Sequence, residues 1–187
     1  MNIILFGPMG GGRDTVADYL ERTQDYKIHR ISSYITKLTN LLNYQNLDSK
    51  QLKQTFAESV RVTFGGFVWN HLLMEQIQKQ HDLYLGYGET PPNVVIPDGR
   101  KIADLIYWED RGFLTIGVES SDEARRERLI ERDGEDPIKY FNHIIEEEAK
   151  VGILQCKYKL LNYGTLEDLY SQIDFITRAE KATQCTY

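Results

Sequence analysis

A glycine-rich segment near the start of the chain places the strongest constraint on its fold. Residues 7–15, Gly-Pro-Met-Gly-Gly-Gly-Arg-Asp-Thr, follow a strand that is predicted over residues 2–6 and precede Val16, Ala17 and Leu20, which recur at helical spacing. Glycines let a backbone wrap around an anion with successive N–H groups turned inward, and a helix N-terminus adds partial positive charge. The order strand, loop, helix therefore indicates a phosphate-binding loop. A glycine-rich turn that only links the two elements is the other interpretation.

This glycine-rich loop (residues 7–15) matches the Walker A motif in spacing but not in every residue. Four residues separate Gly7 from Gly12, as the motif requires. Arg13 takes the place of the usual Lys, and Asp14 takes the place of the usual Ser or Thr. Arginine keeps the positive charge, although its planar head is larger than an ammonium group. We predict that the phosphates of ATP bind to Gly7, Gly10, Gly11, Gly12, Arg13, Asp14 and Thr15.

Short apolar runs alternate with longer helical patterns along the rest of the chain. Further strands are predicted at residues 27–31, 94–96, 113–118 and 157–161. Such alternation is typical of an α/β fold with a parallel sheet. We predict a single domain over residues 1–187 with a three-layer P-loop fold, a five-stranded, mainly parallel sheet and a helical insert over about residues 32–80.

Composition and charge argue against several classes of protein. The 187 residues are 41% hydrophobic and 27% charged, which is typical of a folded globular chain. Lys and Arg total 22 against 28 Asp and Glu, and the net charge of −6 disfavours nonspecific binding to nucleic acid or to an anionic membrane. Cys156 and Cys185 form neither a disulfide framework nor a zinc spacing, and no apolar stretch is long enough to cross a bilayer. We expect a cytoplasmic protein that binds small-molecule nucleotides, and its oligomeric state stays open, with a homodimer possible.

Five short motifs occur along the chain in an order that resembles one known family. They are Gly12-Arg13-Asp14-Thr15, Arg61-x3-Gly65-x3-Trp69, Val95-Ile96-Pro97-Asp98-Gly99-Arg100, Arg125-Arg126-x-Arg128-Leu129-x2-Arg132 and Asn162-Tyr163-Gly164. The chain resembles the deoxynucleoside monophosphate kinases of bacteriophages, which are P-loop enzymes related to dephospho-CoA kinase. The resemblance runs nearly end to end, with Arg13 as a departure from the family's Lys. It implies transfer of a phosphoryl group from ATP to a deoxynucleoside monophosphate, in the host cytoplasm if the chain is of phage origin.

Charged residues at one strand end are candidates for catalysis and for binding the acceptor. Asp98 is expected at the carboxyl end of the third strand, where open α/β sheets bind ligands. There it would order Mg²⁺ or the attacking group, and Asp14 is the second candidate Mg²⁺ ligand. A helix cap is the other interpretation of each carboxylate. The acceptor is itself an anion, so Arg61 and Arg100 are candidates to bind its phosphate.

Four arginines lie on the helix that is predicted after the fourth strand. Arg128 and Arg132 match the lid motif, and the resemblance makes them candidate catalytic residues because lid arginines contact transferring phosphates in the family. A solvated helix face is the other interpretation, and it is favoured for Arg125 and Arg126. The lid region is predicted over about residues 125–140.

Two further assignments concern the nucleotide bases. Asn162 and Gly164 match the place where the family holds the adenine of the donor, whereas an ordinary turn is the other interpretation. Trp69 is a candidate to stack on the acceptor base, although aromatic residues at helical spacing also form cores.

The sequence thus predicts an ATP- and Mg²⁺-dependent nucleoside monophosphate kinase. One alternative is a kinase for another phosphorylated small molecule, of the dephospho-CoA or phosphomevalonate type. A second alternative is a nucleotide-binding regulatory protein without turnover, which the presence of Arg13 keeps open.

Overall fold

The structure is a computed structural model that describes residues 1–42, 50–134, 141 and 144–184. Its elements in chain order are β1 (Ile3–Phe6), α1 (Arg13–Thr23), β2 (Tyr26–Ile28), α2 (Ile31–Leu42), α3 (Lys50–Phe64), α4 (Val68–Gly86), β3 (Asn93–Gly99), α5 (Ile102–Glu109), β4 (Leu114–Glu119), α6 (Asp122–Asp133), α7 (Ile144–Ile153), β5 (Tyr158–Leu161) and α8 (Leu166–Gln184).

The five strands form one sheet in the spatial order β2-β3-β1-β4-β5, and every neighbouring pair is parallel. The central strand β1 pairs Ile3 with Val95 of β3 on one side and with Leu114 of β4 on the other. A strand that is buried on both faces needs apolar side chains at successive positions, and the fully buried run Ile3–Phe6 supplies them. The predicted α/β class and parallel sheet are therefore confirmed.

Helices cover both faces of this sheet because alternate strand residues point to opposite sides. On one face, Ile3 and Leu5 pack in a cluster with Leu20 of α1 and residues of α8. On the other face, Phe6 packs with Leu105 of α5 and residues of α7. These are the three layers expected from the sequence.

Several boundaries differ from the predicted ones. The second strand spans only Tyr26–Ile28, and Ile31 begins α2 instead of ending that strand. A short segment can fit the pattern of a strand or of a helix equally well. The pattern alone therefore does not place the end of the second strand. The third strand continues to Gly99, where it still pairs with Phe6 of β1. Helix α4 runs to Gly86 rather than ending near residue 80.

The chain divides into two compact units. The sheet unit comprises Met1–Ile28 and Asn93–Tyr187, and it carries the glycine-rich loop. The helical unit comprises His29–Pro92 and contains α2, α3 and α4.

Helix α4 supplies buried side chains at regular intervals in the helical unit. Trp69, Leu73 and Ile77 are all buried, at the four-residue spacing of one helix face. The indole N–H of Trp69 donates to the carbonyl oxygen of Ala57 in α3 at 3.1 Å. Phe56 also lies beside the indole, with 6.1 Å between ring centroids.

Some predictions fall on residues that the structure does not describe. These are residues 135–140 of the predicted lid region and Cys185. Within the described residues, no helix combines the length and the apolar character needed to cross a membrane.

Candidate phosphate-binding site

The glycine-rich loop joins the carboxyl end of β1 to the N-terminus of α1. Gly10 and Gly12 have φ angles of 76° and 102°, in the left-handed region that favours glycine. A Cβ atom added to Gly12 would also collide with the side-chain amide of Asn162. Glycine at position 12 is therefore required both by the backbone conformation and by a neighbouring side chain.

Side chains from outside the loop hold three successive loop carbonyl groups. The hydrogen bonds run from Arg125 Nε to Met9 O at 2.8 Å, from Arg128 Nη1 to Gly10 O at 3.2 Å and from Asn162 Nδ2 to Gly11 O at 2.9 Å. By contrast, no described residue accepts a hydrogen bond from the backbone N–H of Gly10, Gly12, Arg13 or Thr15. Unpaired N–H groups at a helix N-terminus form a binding site for an anion, and phosphate is the anion that such loops commonly hold.

Met9 is held at both of its polar backbone groups. Its N–H donates to Glu146 Oε2 at 3.0 Å, while its carbonyl accepts from Arg125. Glu146 and Arg125 in turn form an ion pair, with 2.5 Å between Oε2 and Nη2. The two side chains are buried, so this part of the loop is fixed by a charged pair that water does not reach.

The prediction of a solvated position for Arg125 is wrong. Its side chain is completely buried, and it contacts Asp122 on its own helix as well as the loop. Several acidic residues on α6 offer local partners for a solvated arginine, so the pattern of α6 alone favours that interpretation. The partner Glu146 lies 21 residues away, and no periodicity links the two positions.

Arg13, at the position of the usual Lys, is almost completely buried. Its guanidinium donates to the carbonyl oxygen of Gly99, at the end of β3, at 2.7 Å. Burial, together with repulsion from Arg100, lowers the pKa of Arg13 to about 9. The side chain is therefore still cationic at neutral pH, and it fixes a positive charge at the start of α1.

Three carboxylates lie close enough to Arg13 to act on it. The charges of Asp14, Asp98 and Glu146 all raise the pKa of Arg13, against the effect of burial. Asp98 lies at the carboxyl end of β3, as the sequence predicts. Neither aspartate is a helix cap, because Gly12 occupies the N-cap of α1 and Lys101 occupies that of α5.

Asp14 and Asp98 fit the chemistry of a magnesium ion that arrives with a nucleotide. Mg²⁺ in such sites is commonly bound by one or two carboxylates, with phosphate oxygens and water completing its coordination. Among the described residues, no group of three or more His, Cys, Asp or Glu side chains could hold a metal ion by itself. Two carboxylates match the number that a nucleotide-bound Mg²⁺ commonly takes from a protein.

The other predicted cations of the sheet unit have different environments. Arg100 Nη1 lies 3.7 Å from Glu146 Oε1, whereas Arg128 contacts the loop through Gly10. Arg132 is 55% exposed and pairs with its neighbour Asp133 at 2.8 Å. The charge of Asp14 also helps to raise the pKa of Arg132, after the larger effect of the hydrogen bond to Asp133.

Asn162 and Gly164 follow β5. The amide of Asn162 is buried and its nitrogen is used on Gly11, so this residue supports the loop in the present structure. Gly164 leads into α8, which begins with reciprocal bonds between Thr165 and Asp168. A role for Asn162 or Gly164 in binding adenine stays a prediction.

Comparisons with known proteins bear on the fold. The sequence matches no protein-family model and no curated protein. Solved structures are similar to it over most of their length. Shikimate kinase from Aquifex aeolicus has a TM-score of 0.58 at 16% identity, and the alignment covers 97% of this chain and 99% of that one.

Two other solved structures agree with this result. TT1252 from Thermus thermophilus has a TM-score of 0.55 at 20% identity, covering 95% of this chain and 97% of that one. Shikimate kinase from Acinetobacter baumannii, in complex with shikimate, has a TM-score of 0.54 at 16% identity, covering 96% and 94%. The chain shares the P-loop α/β fold of these structures. At these identities the likeness concerns the fold and not the substrate.

The helical unit holds the remaining predicted residues, Arg61 and Trp69. The Trp69 ring is completely buried and bonded to α3, so it has no exposed face on which a base could stack. We therefore assign Trp69 to the core, which corrects its predicted contact with the acceptor. Arg61 pairs with Glu58 at 2.6 Å, and its Nε atom is buried without a hydrogen-bond partner among the described residues.

Proposed function

We propose that the chain transfers the γ-phosphoryl group of ATP to a nucleoside 5′-monophosphate, with a deoxynucleoside monophosphate as the preferred acceptor. The observation that carries this proposal is the glycine-rich loop, with carbonyl groups bonded to side chains and N–H groups that have no acceptor among the described residues. The P-loop kinase fold supports a reaction of this class. The choice of acceptor rests on the resemblance to phage kinases.

In the proposed reaction the loop binds the phosphates of ATP. Backbone N–H groups and the N-terminus of α1 stabilise their negative charge, and Arg13 adds a fixed cation. Mg²⁺, bound with the nucleotide near Asp14 and Asp98, would neutralise charge on the phosphate oxygens. An oxygen of the acceptor phosphate attacks the γ-phosphorus, the bond to the β–γ bridging oxygen breaks, and ADP leaves. The transfer is direct and needs no covalent enzyme intermediate.

The acceptor carries negative charge, so its approach to ATP requires further cations. We assign the acceptor phosphate to Arg61, since a buried donor without a partner is costly unless a ligand satisfies it. Arg100, which is partly exposed beside Glu146, is the second candidate.

Arg128 and Arg132 are proposed to contact the transferring phosphoryl group. Asn162 and Gly164 are proposed to lie near the adenine of ATP, and the reaction is expected in the cytoplasm.

An assay of ADP release with a panel of acceptors tests this proposal. The panel contains deoxy- and ribonucleoside monophosphates, dephospho-CoA, phosphomevalonate and shikimate, the molecule bound in one of the similar structures. We expect transfer to at least one deoxynucleoside monophosphate, with a specificity constant well above that for shikimate. Shikimate carries a carboxylate but no phosphate, so it offers the acceptor cations fewer oxygen atoms and less negative charge. If the protein transfers phosphate only to another member of the panel, the proposed acceptor is wrong and that molecule takes its place.

Replacing Arg13 separates a kinase from a regulatory protein. Arg13→Lys keeps the charge and restores the usual Walker A residue, so a kinase should retain or raise its turnover. Arg13→Ala should lower turnover by about 10²-fold, the scale seen when one preorganised electrostatic group is lost. A parent protein that binds ATP but transfers to no acceptor, with Arg13→Lys restoring transfer, would support the regulatory alternative.

A further inference from the structure

The ion pair between Arg125 and Glu146 closes a ring of contacts around a single loop residue. Arg125 donates to the carbonyl of Met9, Glu146 accepts from its N–H, and the two side chains bind each other. We infer that Glu146 is a positioning residue of the glycine-rich loop, which it holds together with Arg125. The expected effect on ATP binding rests on the proposed function, whereas the effect on the loop does not.

Stability alone is a poor explanation for this pair. Taking two charges out of water costs free energy that their attraction often only balances, so apolar residues would serve a core equally well. Hydrogen bonds to charged groups are stronger and more directional than neutral ones. Here they engage both backbone groups of Met9, so this residue can reorient only by breaking two of them. The arrangement therefore restricts the conformation of the loop.

Glu146 also reaches a second residue with a proposed role. Its other oxygen, Oε1, lies 3.7 Å from Nη1 of Arg100, a candidate to bind the acceptor. Through one carboxylate, helix α7 thus contacts Met9 in the loop and Arg100 after β3. Loss of the Glu146 charge is expected to disturb both positions, and the loop more strongly, because its contacts are shorter.

Amide hydrogen exchange in the protein without nucleotide tests the inference directly. Glu146→Gln keeps the size of the side chain but removes the charge that binds Arg125. Glu147→Gln is the matched control, because Glu147 is the next residue on the helix and its side chain is 62% exposed. We expect the Met9 amide to exchange about tenfold faster in Glu146→Gln, the scale for losing one charge-assisted hydrogen bond. Amides of β1 and α8 should keep the parent rates.

Two exchange results would overturn the inference. One is an unchanged loop in a folded Glu146→Gln protein. The other is faster exchange by the same factor throughout the sheet unit, which would indicate a role in overall stability only. The Glu147→Gln protein should behave as the parent in both regions.

A double variant keeps the inference falsifiable if Glu146→Gln does not fold. Arg125→Met with Glu146→Leu removes both charges together, so neither member of the pair is left in the core without the other. The loop would still lose both partners of Met9, so we expect the ATP dissociation constant to rise about tenfold. Parent-like exchange of loop amides in this folded variant would reject the inference. A parent that fails to transfer phosphate would instead reject the proposed function, since the exchange measurement needs no transfer.

Discussion

Arginines in the two compact units differ in what holds them. In the sheet unit, Arg125 bonds to Met9 and Glu146, which lie 116 and 21 residues away, and it is completely buried. In the helical unit, Arg61 pairs with Glu58 three residues before it on the same helix, and its buried Nε has no hydrogen-bond partner among the described residues. One arginine orders the protein's own backbone, whereas the other has a buried donor with no acceptor among the described residues.

This difference predicts which measurements will respond to substitution. Changes around the loop should alter the binding of ATP or the rate of transfer, because loop geometry depends on several tertiary contacts. Changes at Arg61 should alter acceptor binding and leave ATP binding intact. Substitutions in the loop, at Asp98, on α6 and at Arg61 test that separation.

Gly12→Val should reduce ATP affinity by about 100-fold or more. The φ angle of 102° is unfavourable for valine, and the added side chain would displace the amide of Asn162 that holds Gly11. Isothermal titration calorimetry measures the affinity, with circular dichroism to verify folding. Gly88→Val is the control, because Gly88 has φ of 74° but no atom within 4 Å of its added Cβ. Parent-like ATP binding by a folded Gly12→Val protein would refute the site.

Asp98→Asn should lower turnover by about 10²-fold, while ATP affinity changes only a few-fold. Removing the charge weakens the ordering of Mg²⁺ or of the attacking group, which matters most in the transition state. Steady-state kinetics at saturating ATP measures the effect, and Asp110→Asn at the exposed end of α5 serves as the control. Loss of thermal stability without loss of rate would indicate a purely structural carboxylate.

Replacing Arg128 or Arg132 with Ala should lower turnover by roughly tenfold or more, and by more than it raises the ATP Michaelis constant. The two residues differ in their contacts, because Arg128 bonds to Gly10 of the loop whereas Arg132 pairs with Asp133. Arg128→Ala should therefore also weaken ATP binding, and Arg132→Ala should not. Full turnover in both variants would favour the solvated-face interpretation of α6.

Arg61→Ala should raise the acceptor Michaelis constant by about tenfold, the scale for losing one hydrogen bond to a charged group. ATP affinity should stay at the parent value, because none of the described contacts of the loop involves Arg61. Lys79→Ala removes an exposed cation from the same unit and should change neither quantity. An equal loss of ATP and acceptor binding in Arg61→Ala would contradict the proposal that Arg61 binds the acceptor and the loop binds ATP.

Much of the fold follows from local patterns. Strand β1, the loop and α1 occur where the runs of apolar residues and glycines indicate, and Asp98 lies at the predicted strand end. Periodicity and glycine content act between near neighbours, so a sequence displays them directly. The boundaries that were missed, at Ile31 and beyond residue 80, fall where apolar residues are interspersed with polar ones and no strong stop signal occurs.

The parallel α/β architecture and the position of the glycine-rich loop can be read from the sequence alone, since both arise from short-range patterns of side-chain size and hydropathy. The side chains that shape that loop become apparent only in the folded structure. Arg125 and Asn162 bond to Met9 and Gly11 across 116 and 151 residues of chain, and Trp69 is buried where a base contact was expected. Such pairings depend on how the sheet and helices bring distant residues together, and burial then converts an ordinary arginine into a fixed structural charge.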